Sequence, residues 1–421
     1  MSFEFDRDFD IELSDFRMKE RTVAFRVWEL GFGGSIESRP VLLNGILYLG
    51  AADYNIYAVD SKNGKELWRF KTGGTFVNPS PLIIDDVLYI PNYEGYLYAI
   101  DINSRKLFWR FKVGDKCWAT PSYKGGIIYF GSKDNNLYAV DIKSRSEVWR
   151  FKTGDLAVSS PTLFENKVFF GSYDGNLYCV DSKTGKELWR FRTSGNIFNA
   201  IPFPLVNGMI YFGSWDNNLY AVSVSNGNEV WRFRVGKGIN ATPAYDNGII
   251  YVGSHDGFFY AVNAETGKEV WRYRVGDRVG SPAFVYEDMV YFGSANSFFY
   301  ALDKKTGKEL WRFKADEENW GSPLAKDGVV YFGSTDCHLY ALDAKTGKRI
   351  WVFQTSTLTP SPMKREEKEF SAEVTVKEED YEEREEEKYE FSVAESDIES
   401  EYSVKSEYVM KSEYKQEGEY K

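Results

Sequence analysis

The stretch Gly185-Lys186-Glu187-Leu188-Trp189-Arg190-Phe191 decides the fold, because close copies of it recur along most of the chain. Its tryptophan returns at intervals of 40 to 42 residues. The copies lie at Trp28, Trp68, Trp109, Trp149, Trp189, Trp231, Trp271, Trp311 and Trp351. A repeat of this length is typical of proteins that stack one supersecondary unit many times. We therefore predict an array of copies and not a set of unrelated elements.

Each copy contains four segments that are long enough for a strand and too short for a helix. In the fourth copy, residues 161–191, they read PTLF, KVFFG, NLYCVD and ELWRF, and Gly, Asn, Asp and Ser lie between them as in tight turns. The unit runs eight times between residues 34 and 353. Four short strands per unit and eight units predict an all-β fold, an eight-bladed β-propeller of four-stranded antiparallel blades.

The consensus YFGSxDxNLYAVDxKTGKxxWRF resembles the PQQ-like repeat of the quinoprotein alcohol dehydrogenase-like propellers, and the resemblance covers residues 21–356. It implies that the tryptophan of each copy docks neighbouring blades. It leaves function open, because the family includes calcium- and quinone-dependent dehydrogenases, outer-membrane assembly lipoproteins and scaffolds.

The two ends of the array differ from its middle. Nine tryptophan strands accompany only eight sets of inner strands, so one terminal copy is surplus. Arg follows the tryptophan in the seven internal copies, whereas Glu29 follows Trp28 and Val352 follows Trp351. We expect a terminal strand to close the ring, and the spacing from Trp28 to Pro40 favours the N-terminal strand as the fourth strand of the eighth blade.

Composition divides the chain into three parts. Residues 1–20 alternate apolar and acidic side chains and read as a strand-like extension, and residues 21–362 form the propeller. Residues 363–421 form an acidic tail rich in Glu, Lys, Tyr and Ser, which we predict to be disordered in isolation. The tail has 21 acidic and 10 basic residues and so accounts for the whole net charge of −11. The balanced body argues against a nucleic-acid partner.

The cysteines and the termini indicate the compartment. Cys117, Cys179 and Cys337 are isolated, with no CxxC spacing, as expected in a reducing environment. The N-terminal residues lack the apolar run of a signal peptide, and no run of eighteen apolar residues occurs. We therefore expect a cytoplasmic protein without membrane contacts, and the sequence leaves the oligomeric state open.

One face of the propeller varies between copies. The loop between the second and third strands shares this face with the connection to the next blade, whereas turns such as KTGK repeat on the opposite face. The variable positions lie before the proline that opens each unit and two residues beyond the second strand. We predict that side chains from both sets form a binding site: Glu37, Asn78, Tyr93, Trp118, Asn199, Trp215, Asn240, His255, Arg278, Asn319 and Trp320.

Neutral drift is the alternative explanation for these loops, because loop positions carry little packing and Asn often bonds only local backbone. A second series, Asp53, Asp134, Asp174, Asp216, Asp256 and Asp336, has the acidity of metal ligands. Its near-uniformity in a tight-turn position favours a turn-forming role.

The resemblance implies a quinone site with calcium, but the residues argue against one. The vicinal cysteine pair expected in such dehydrogenases is missing, and no motif assigns a catalytic base. Glu37 with Asn78, Asn199 or Asn240 could give calcium an oxygen shell, and Trp118 or Trp320 could stack on a flat ring. With two histidines, His255 and His338, a histidine-based metal site is also disfavoured. We expect no cofactor.

These observations favour a non-catalytic scaffold that binds a protein or peptide on its variable face. One alternative is a quinone- or sugar-binding propeller similar to the oxidoreductases. Another is an envelope-protein assembly factor, against which the lack of a lipoprotein signal argues.

Overall fold

The computed structural model describes residues 34–76 and 78–355, together with the backbone of two short segments at the ends of the chain. Contacts divide the chain into two units, Leu30–Lys364 and the pair Met1–Glu29 with Arg365–Lys421. In the second of these units, β1 (Val23–Ala24) pairs antiparallel with β34 (Ser371–Ala372). Trp28, the extension of residues 1–20 and the predictions for the rest of the tail lie outside the described residues.

The larger unit consists of eight antiparallel sheets of four strands, each formed by consecutive strands of the sequence. Blades 1 to 4 are β2 (Val41–Leu43), β3 (Ile46–Gly50), β4 (Asn55–Asp60) and β5 (Glu66–Lys71); β6 (Leu82–Ile84), β7 (Val87–Pro91), β8 (Tyr96–Asp101) and β9 (Lys106–Lys112); β10 (Ser122–Lys124), β11 (Ile127–Gly131), β12 (Asn136–Asp141) and β13 (Ser146–Lys152); β14 (Thr162–Phe164), β15 (Lys167–Gly171), β16 (Asn176–Asp181) and β17 (Glu187–Arg192).

The second half of the ring repeats this order. Blades 5 to 8 are β18 (Leu205–Val206), β19 (Met209–Ser214), β20 (Asn218–Ser223) and β21 (Glu229–Arg234); β22 (Ala244–Asp246), β23 (Ile249–Gly253), β24 (Phe258–Asn263) and β25 (Glu269–Arg274); β26 (Phe284–Tyr286), β27 (Met289–Gly293), β28 (Phe298–Asp303) and β29 (Glu309–Lys314); β30 (Leu324–Lys326), β31 (Val329–Gly333), β32 (His338–Asp343) and β33 (Arg349–Gln354). The predicted eight-bladed propeller is confirmed.

The middle strands of each blade are apolar on both faces because another blade covers each face. Successive side chains of a strand point to opposite sides of its sheet. In β15, Phe169 packs in the cluster shared with blade 5, and Phe170 packs in the cluster shared with blade 3. Both rings are fully buried. The core is therefore a series of layers between blades, and each layer needs apolar residues from two copies of the repeat.

The motif tryptophans join these layers, as the family resemblance implies. The indole nitrogen of Trp231 in blade 5 donates to the carbonyl of Ala264 in blade 6 at 2.9 Å, and Trp231 is only 9% exposed. Gly267 follows in the same turn with a φ of 68°, and a Cβ on it would lie 2.7 Å from the Trp231 ring. The glycine of the KTGK-type turn therefore meets two needs, a left-handed backbone and room for an indole.

Two junctions depart from this pattern. Where six blades have glycine in this turn, blades 2 and 3 have Arg105 and Arg145, at φ values of 60° and 59°. A left-handed conformation is unfavourable for a residue with a Cβ. Trp109, which faces the turn of Arg145, is buried, and its indole nitrogen has no partner among the residues described. The junction between blades 2 and 3 thus lacks the indole hydrogen bond that Trp149, Trp189, Trp231, Trp271, Trp311 and Trp351 form with the next blade.

The ring closes differently from our expectation. The fourth strand of blade 8 is β33, which carries Trp351, so the prediction that the Trp28 strand fills this place is wrong. The Trp351 indole donates to Ser61 of blade 1 at 3.0 Å, and the Thr355 hydroxyl donates to the Gly34 carbonyl at 2.7 Å. Blade 8 is complete with a contiguous sequence of its own, and its C-terminal strand closes the ring by packing and by these side-chain hydrogen bonds, without a strand from the N-terminus.

The aspartate series forms turns, as predicted. Asp134 accepts a hydrogen bond from the Asn136 amide at 3.0 Å and from the Tyr138 hydroxyl at 2.6 Å. It also accepts from the Gly114 amide at 2.8 Å. One carboxylate thus fixes the loop between the second and third strands and ties it to the end of the preceding blade's outer strand.

Candidate functional site

Hydrogen bonds between blades define equivalent positions on the variable face, meaning the inter-blade connections and the loops between second and third strands. In every connection one residue donates its amide to the carbonyl just beyond the second strand of the preceding blade, at 3.0–3.2 Å. We call this the junction position, and its eight residues are Ile36, Phe76, Cys117, Ala157, Ile197, Ile239, Val279 and Asn319.

The loop positions beyond the second strand are equivalent to one another. Each donates its amide to the carbonyl of the residue that precedes a junction position. The set is Ala52, Tyr93, Lys133, Tyr173, Trp215, His255, Ala295 and Thr335. Tyr93, Trp215 and His255 therefore occupy one position in three blades, as the sequence predicted.

The positions counted back from proline are not all equivalent. Glu37, Trp118, Asn240 and Trp320 directly follow a junction position, whereas Asn78 and Asn199 lie one residue further on. Arg278 precedes a junction position, and Asn319 occupies one. Counting back from the proline fails because the proline is not at a constant distance from the junction position, as the Pro79–Pro81 segment shows. The backbone hydrogen bonds are needed to align the connections with one another.

Blades 5 to 8 supply an indole–imidazole cluster, formed by Trp215, Asn240, His255, Arg278, Glu318 and Trp320. The His255 ring lies edge-on to the Trp215 ring with centroids 4.8 Å apart, and 6.1 Å from the Trp320 ring. His255 Nε2 lies 2.9 Å from Asn240 Oδ1. Five of these six residues come from the predicted site, and the structure brings them together.

Charges fix the orientation of Trp320 in this cluster. Its indole nitrogen donates to Glu318 Oε2 at 2.5 Å, and the Arg278 guanidinium lies 3.3 Å from Glu318 Oε1 and 5.5 Å from the indole centroid. Burial, with Arg278 and Lys237 nearby, lowers the pKa of His255 to about 4. The imidazole is therefore neutral at physiological pH.

Blades 2 to 5 supply an aromatic–lysine cluster, formed by Tyr93, Trp118, Lys133, Tyr173 and Phe198. The Lys133 ammonium lies 3.5 Å from the centre of the Trp118 ring, within the range of a cation–π contact. Tyr93 and Phe198 flank Trp118, with centroids 5.7 and 6.4 Å away. Phe198 belongs to the connection between blades 4 and 5, so this contact crosses part of the channel mouth.

The Glu37 carboxylate interacts electrostatically with one residue of each cluster. Burial and the charge of Glu318 raise the pKa of Glu37 to about 7. The same carboxylate contributes, after burial, to the raised pKa of the Tyr93 hydroxyl. Glu37 therefore titrates near physiological pH and responds to residues of both clusters.

The three remaining asparagines of the predicted site, Asn199, Asn319 and Asn78, belong to neither cluster. Asn199 is fully buried and donates to the Ser160 carbonyl at 3.0 Å and to the Ile201 carbonyl, whereas its Oδ1 has no partner within the described ranges. Asn319 is 1% exposed, and neither Nδ2 nor Oδ1 has a partner there. Asn78 is half-buried, and among the described residues no side-chain contact joins it to either cluster.

Sequence reasoning missed two charged residues. Glu318 anchors Trp320 and raises the pKa of Glu37, but acidic residues are common in loops and nothing marked it. Arg39 is enclosed by protein, although its surface is partly accessible, and burial lowers its pKa to about 10. Arg39 directly precedes Pro40, and in other copies Thr120, Ser160 and Ser322 precede the equivalent proline. An arginine in place of a small hydroxyl residue could have marked this position in the sequence.

The residues fit a quinone with calcium poorly. Asn240 Oδ1 already faces His255, and Glu37 makes no hydrogen bond with the proposed amides in the described residues. No group of three His, Cys, Asp or Glu there has the geometry of a metal site. Cys117 and Cys179 are buried in different blades, and burial raises the thiol pKa of Cys179 to about 12. We therefore derive no chemistry through such a cofactor.

Over the portion of the chain that is described, no helix has the length and apolarity needed to cross a membrane.

Comparison with solved structures supports the fold. A computationally designed protein, Ika8, is 16% identical, with a TM-score of 0.65 over 80% of this chain and 100% of its own. BamB from Moraxella catarrhalis is 17% identical, with a TM-score of 0.62 over 76% and 96%. The quinohemoprotein alcohol dehydrogenase ADHIIG from Pseudomonas putida HK5 is 14% identical, with a TM-score of 0.60 over 74% and 70%.

Sequence comparison identifies the family. No curated protein matched the chain significantly. Residues 215–298 and 293–376 match the family described as outer membrane protein assembly factor BamB, which agrees with the PQQ-like repeat. Residues 16–246, more than half of the 421-residue chain, match the family described as beta-alanine-activating enzyme, beta-propeller. The chain belongs to this family of β-propellers.

Proposed function

We propose that the protein is a binding propeller that presents its variable face to a protein or peptide partner and catalyses no reaction. The observation that carries the proposal is Trp215, which is 42% exposed on that face and belongs to a cluster with His255, Trp320 and Arg278. The docking tryptophans, by contrast, are packed between blades.

The composition of the two clusters supports a protein partner. Tryptophan, tyrosine and arginine are the residues most enriched at the energetic centres of protein interfaces. Lys133, Arg278 and Glu318 hold the rings in place, so binding would order few additional side chains and lose little conformational entropy. The similarity to a family of outer membrane protein assembly factors also favours this class of partner.

The titration of the site disfavours acid–base catalysis. With a pKa near 4, His255 is a weak base at neutral pH, and Asn240 already occupies its Nε2. Glu37 has a pKa suited to proton transfer, but no hydrogen-bonded nucleophile accompanies it in the described structure. We assign both residues to binding.

The test is affinity capture from an extract of the source cells, read by quantitative mass spectrometry. The baits are the full chain and its Trp215→Ala, Trp320→Ala and Trp118→Ala variants. Leu188→Ala on the outer rim and Lys268→Ala on the opposite face are matched controls, because both residues are exposed away from the variable face. We expect the face variants to lose partners that the controls retain. Unchanged partners in all three tryptophan variants would rule out this face.

A sugar or quinone at the mouth is the second candidate, favoured by two indoles of different clusters, Trp118 and Trp320, beside the titratable Glu37. Thermal denaturation of the full chain with a panel of monosaccharides, and separately with quinone and calcium, distinguishes it from the first. A shift abolished by both Trp118→Ala and Trp320→Ala would favour a small ligand. We expect no shift.

Localisation separates the scaffold proposal from a role in envelope assembly. The sequence prediction is cytoplasmic, whereas the BamB-like similarity favours the envelope. Fractionation of the source cells, followed by immunodetection, decides between them, and membrane-associated protein would overturn the cytoplasmic prediction.

A further inference from the structure

Arg39 extends from the connection that enters the innermost strand of blade 1, where propeller strands line the central channel. Its amide donates to the Ser80 hydroxyl at 2.9 Å. The next connections repeat this contact: the Ser80 amide donates to Thr120 Oγ1 at 3.0 Å, and the Thr120 amide donates to Ser160 Oγ at 2.9 Å. Arg39 thus occupies a position that has a hydroxyl side chain, Ser80, Thr120 or Ser160, in the next three connections. It places a positive charge next to these hydroxyl groups in the ring.

The Arg39 charge has no counter-charge in the described residues. No ion pair joins Arg39 to a carboxylate there, and its Nε has no acceptor. The guanidinium lies over the ring of Phe284 in blade 7, whose centroid is 5.1 Å from the guanidinium carbon. With a pKa lowered only to about 10, the group is protonated at neutral pH. A cation enclosed by protein and without a counter-charge is unfavourable even when part of its surface meets water, and an anion would lower that penalty.

Two hydroxyl groups in other connections, one between blades 7 and 8 and one between blades 5 and 6, also lack partners. Ser322 is 1% exposed and Thr242 is fully buried, and neither side-chain oxygen has a hydrogen bond within the described chain. The Ser322 amide donates to the Glu37 carbonyl at 3.3 Å, two residues before Arg39. The Ala283 amide donates to the Thr242 carbonyl at 3.4 Å and precedes Phe284, the ring beneath the guanidinium. The backbone therefore places both hydroxyl residues next to segments that contact Arg39.

We propose that the channel binds a small oxyanion, a carboxylate or phosphate group, through the Arg39 guanidinium with Ser322 and Thr242 as hydroxyl donors. A guanidinium presents its N–H groups as a planar fork that matches two oxygens of such an anion. The hydroxyls donate to the remaining oxygens. This site uses none of the residues of the two aromatic clusters and does not depend on the proposed protein partner.

Thermal denaturation of the full chain tests the site, with phosphate or acetate replacing chloride at constant ionic strength. We expect one of these anions to raise the Tm of the natural chain in a concentration-dependent way. Arg39→Gln removes the buried charge and keeps a polar side chain, so we expect it to fold and to be at least as stable as the natural chain in chloride. Its Tm is expected not to respond to the anion.

The controls separate a site from a general salt effect. Arg69→Gln removes an exposed arginine that pairs with Glu66 and is expected to leave the anion response unchanged. Ser322→Ala is expected to weaken the affinity about fivefold or more because it removes one hydrogen bond, as measured by equilibrium dialysis with labelled phosphate or acetate. The anion that responds identifies the preferred chemistry. Equal responses of the natural chain and Arg39→Gln, or no response to either anion, would overturn the proposal.

Discussion

The two faces of the propeller differ in how completely they satisfy their own polar groups. Nine buried side-chain atoms in the described structure lack a hydrogen-bond partner, and eight of them belong to inter-blade connections or second-strand loops of the variable face. The opposite face repeats a turn whose carbonyl accepts a hydrogen bond from the indole of the preceding blade. The copies agree in the turns that hold the docking tryptophans, and they diverge on the variable face, where most of the unpaired polar atoms lie.

The largest expected effect comes from a test that removes one tryptophan from each face. Trp231→Ala removes a buried indole and its bond to Ala264, and we expect a loss of about 3–5 kcal/mol in the free energy of unfolding. Trp215→Ala removes an exposed indole, and we expect a loss of about 1 kcal/mol or less. Urea denaturation of both variants measures the difference. Equal losses would contradict the division between a structural and a binding face.

The pH dependence of stability sharpens the comparison, because the variable face holds two groups with opposite shifts. The pKa of Glu37 is raised to about 7, so its contribution is full below the unfolded value near 4.5 and is lost as the pH rises to 7. The pKa of His255 is lowered to about 4, so its contribution is present above the unfolded value near 6.5 and is lost as the pH falls toward 4. The two slopes oppose each other between pH 4.5 and 6.5.

Matched variants separate the two titrations. Relative to the natural chain, Glu37→Gln is expected to gain up to about 3 kcal/mol as the pH rises from 4.5 to 7. His255→Asn is expected to gain by a similar amount as the pH falls from 6.5 to 4. Unfolding free energies measured at half-unit pH steps give both slopes, and parallel pH profiles for the three proteins would refute the assignments.

Asn319 offers a smaller test in the opposite direction. The seven other junction positions have Ile, Phe, Cys, Ala or Val, and the side-chain amide of Asn319 is buried without a partner in the described residues. Asn319→Val is therefore expected to raise the free energy of unfolding by about 1–2 kcal/mol. Asn240→Val is the control, because it removes the bond to His255 and is expected to destabilise the protein. A loss of stability in Asn319→Val would show that Asn319 has a structural role.

The smallest expected effect concerns the junction between blades 2 and 3, where Arg145 replaces the glycine of the turn. Arg145→Gly relieves a left-handed backbone at φ 59°, and we expect a gain of about 0.5–1 kcal/mol, since the added flexibility of the unfolded chain offsets part of the relief. Gly185→Ala, in the equivalent turn of blade 4, is expected to destabilise because its Cβ would lie 2.7 Å from Trp149. Denaturant titration distinguishes the two signs.

The sequence was informative where one residue type serves the same purpose in every copy. Strand number, blade number and the turn-forming aspartates follow from periodicity, and the docking role of the tryptophan follows from the family resemblance. The junction register did not, because prolines such as Pro79 and Pro282 move along the connection without changing the backbone contacts. The grouping of Trp215 with Trp320 also depended on distances between blades, which a linear pattern does not contain.

The closing bond from Thr355 to Gly34 has a consequence for chain topology. The two ends of the propeller are 2.7 Å apart at this hydrogen bond, and every blade is a contiguous piece of sequence. A short linker between residues 355 and 34 would therefore join the ends without crossing any blade. New termini in any of the exposed KTGK-type turns would then give a circular permutant with the same ring, in which the order of the blades in the sequence is a free choice.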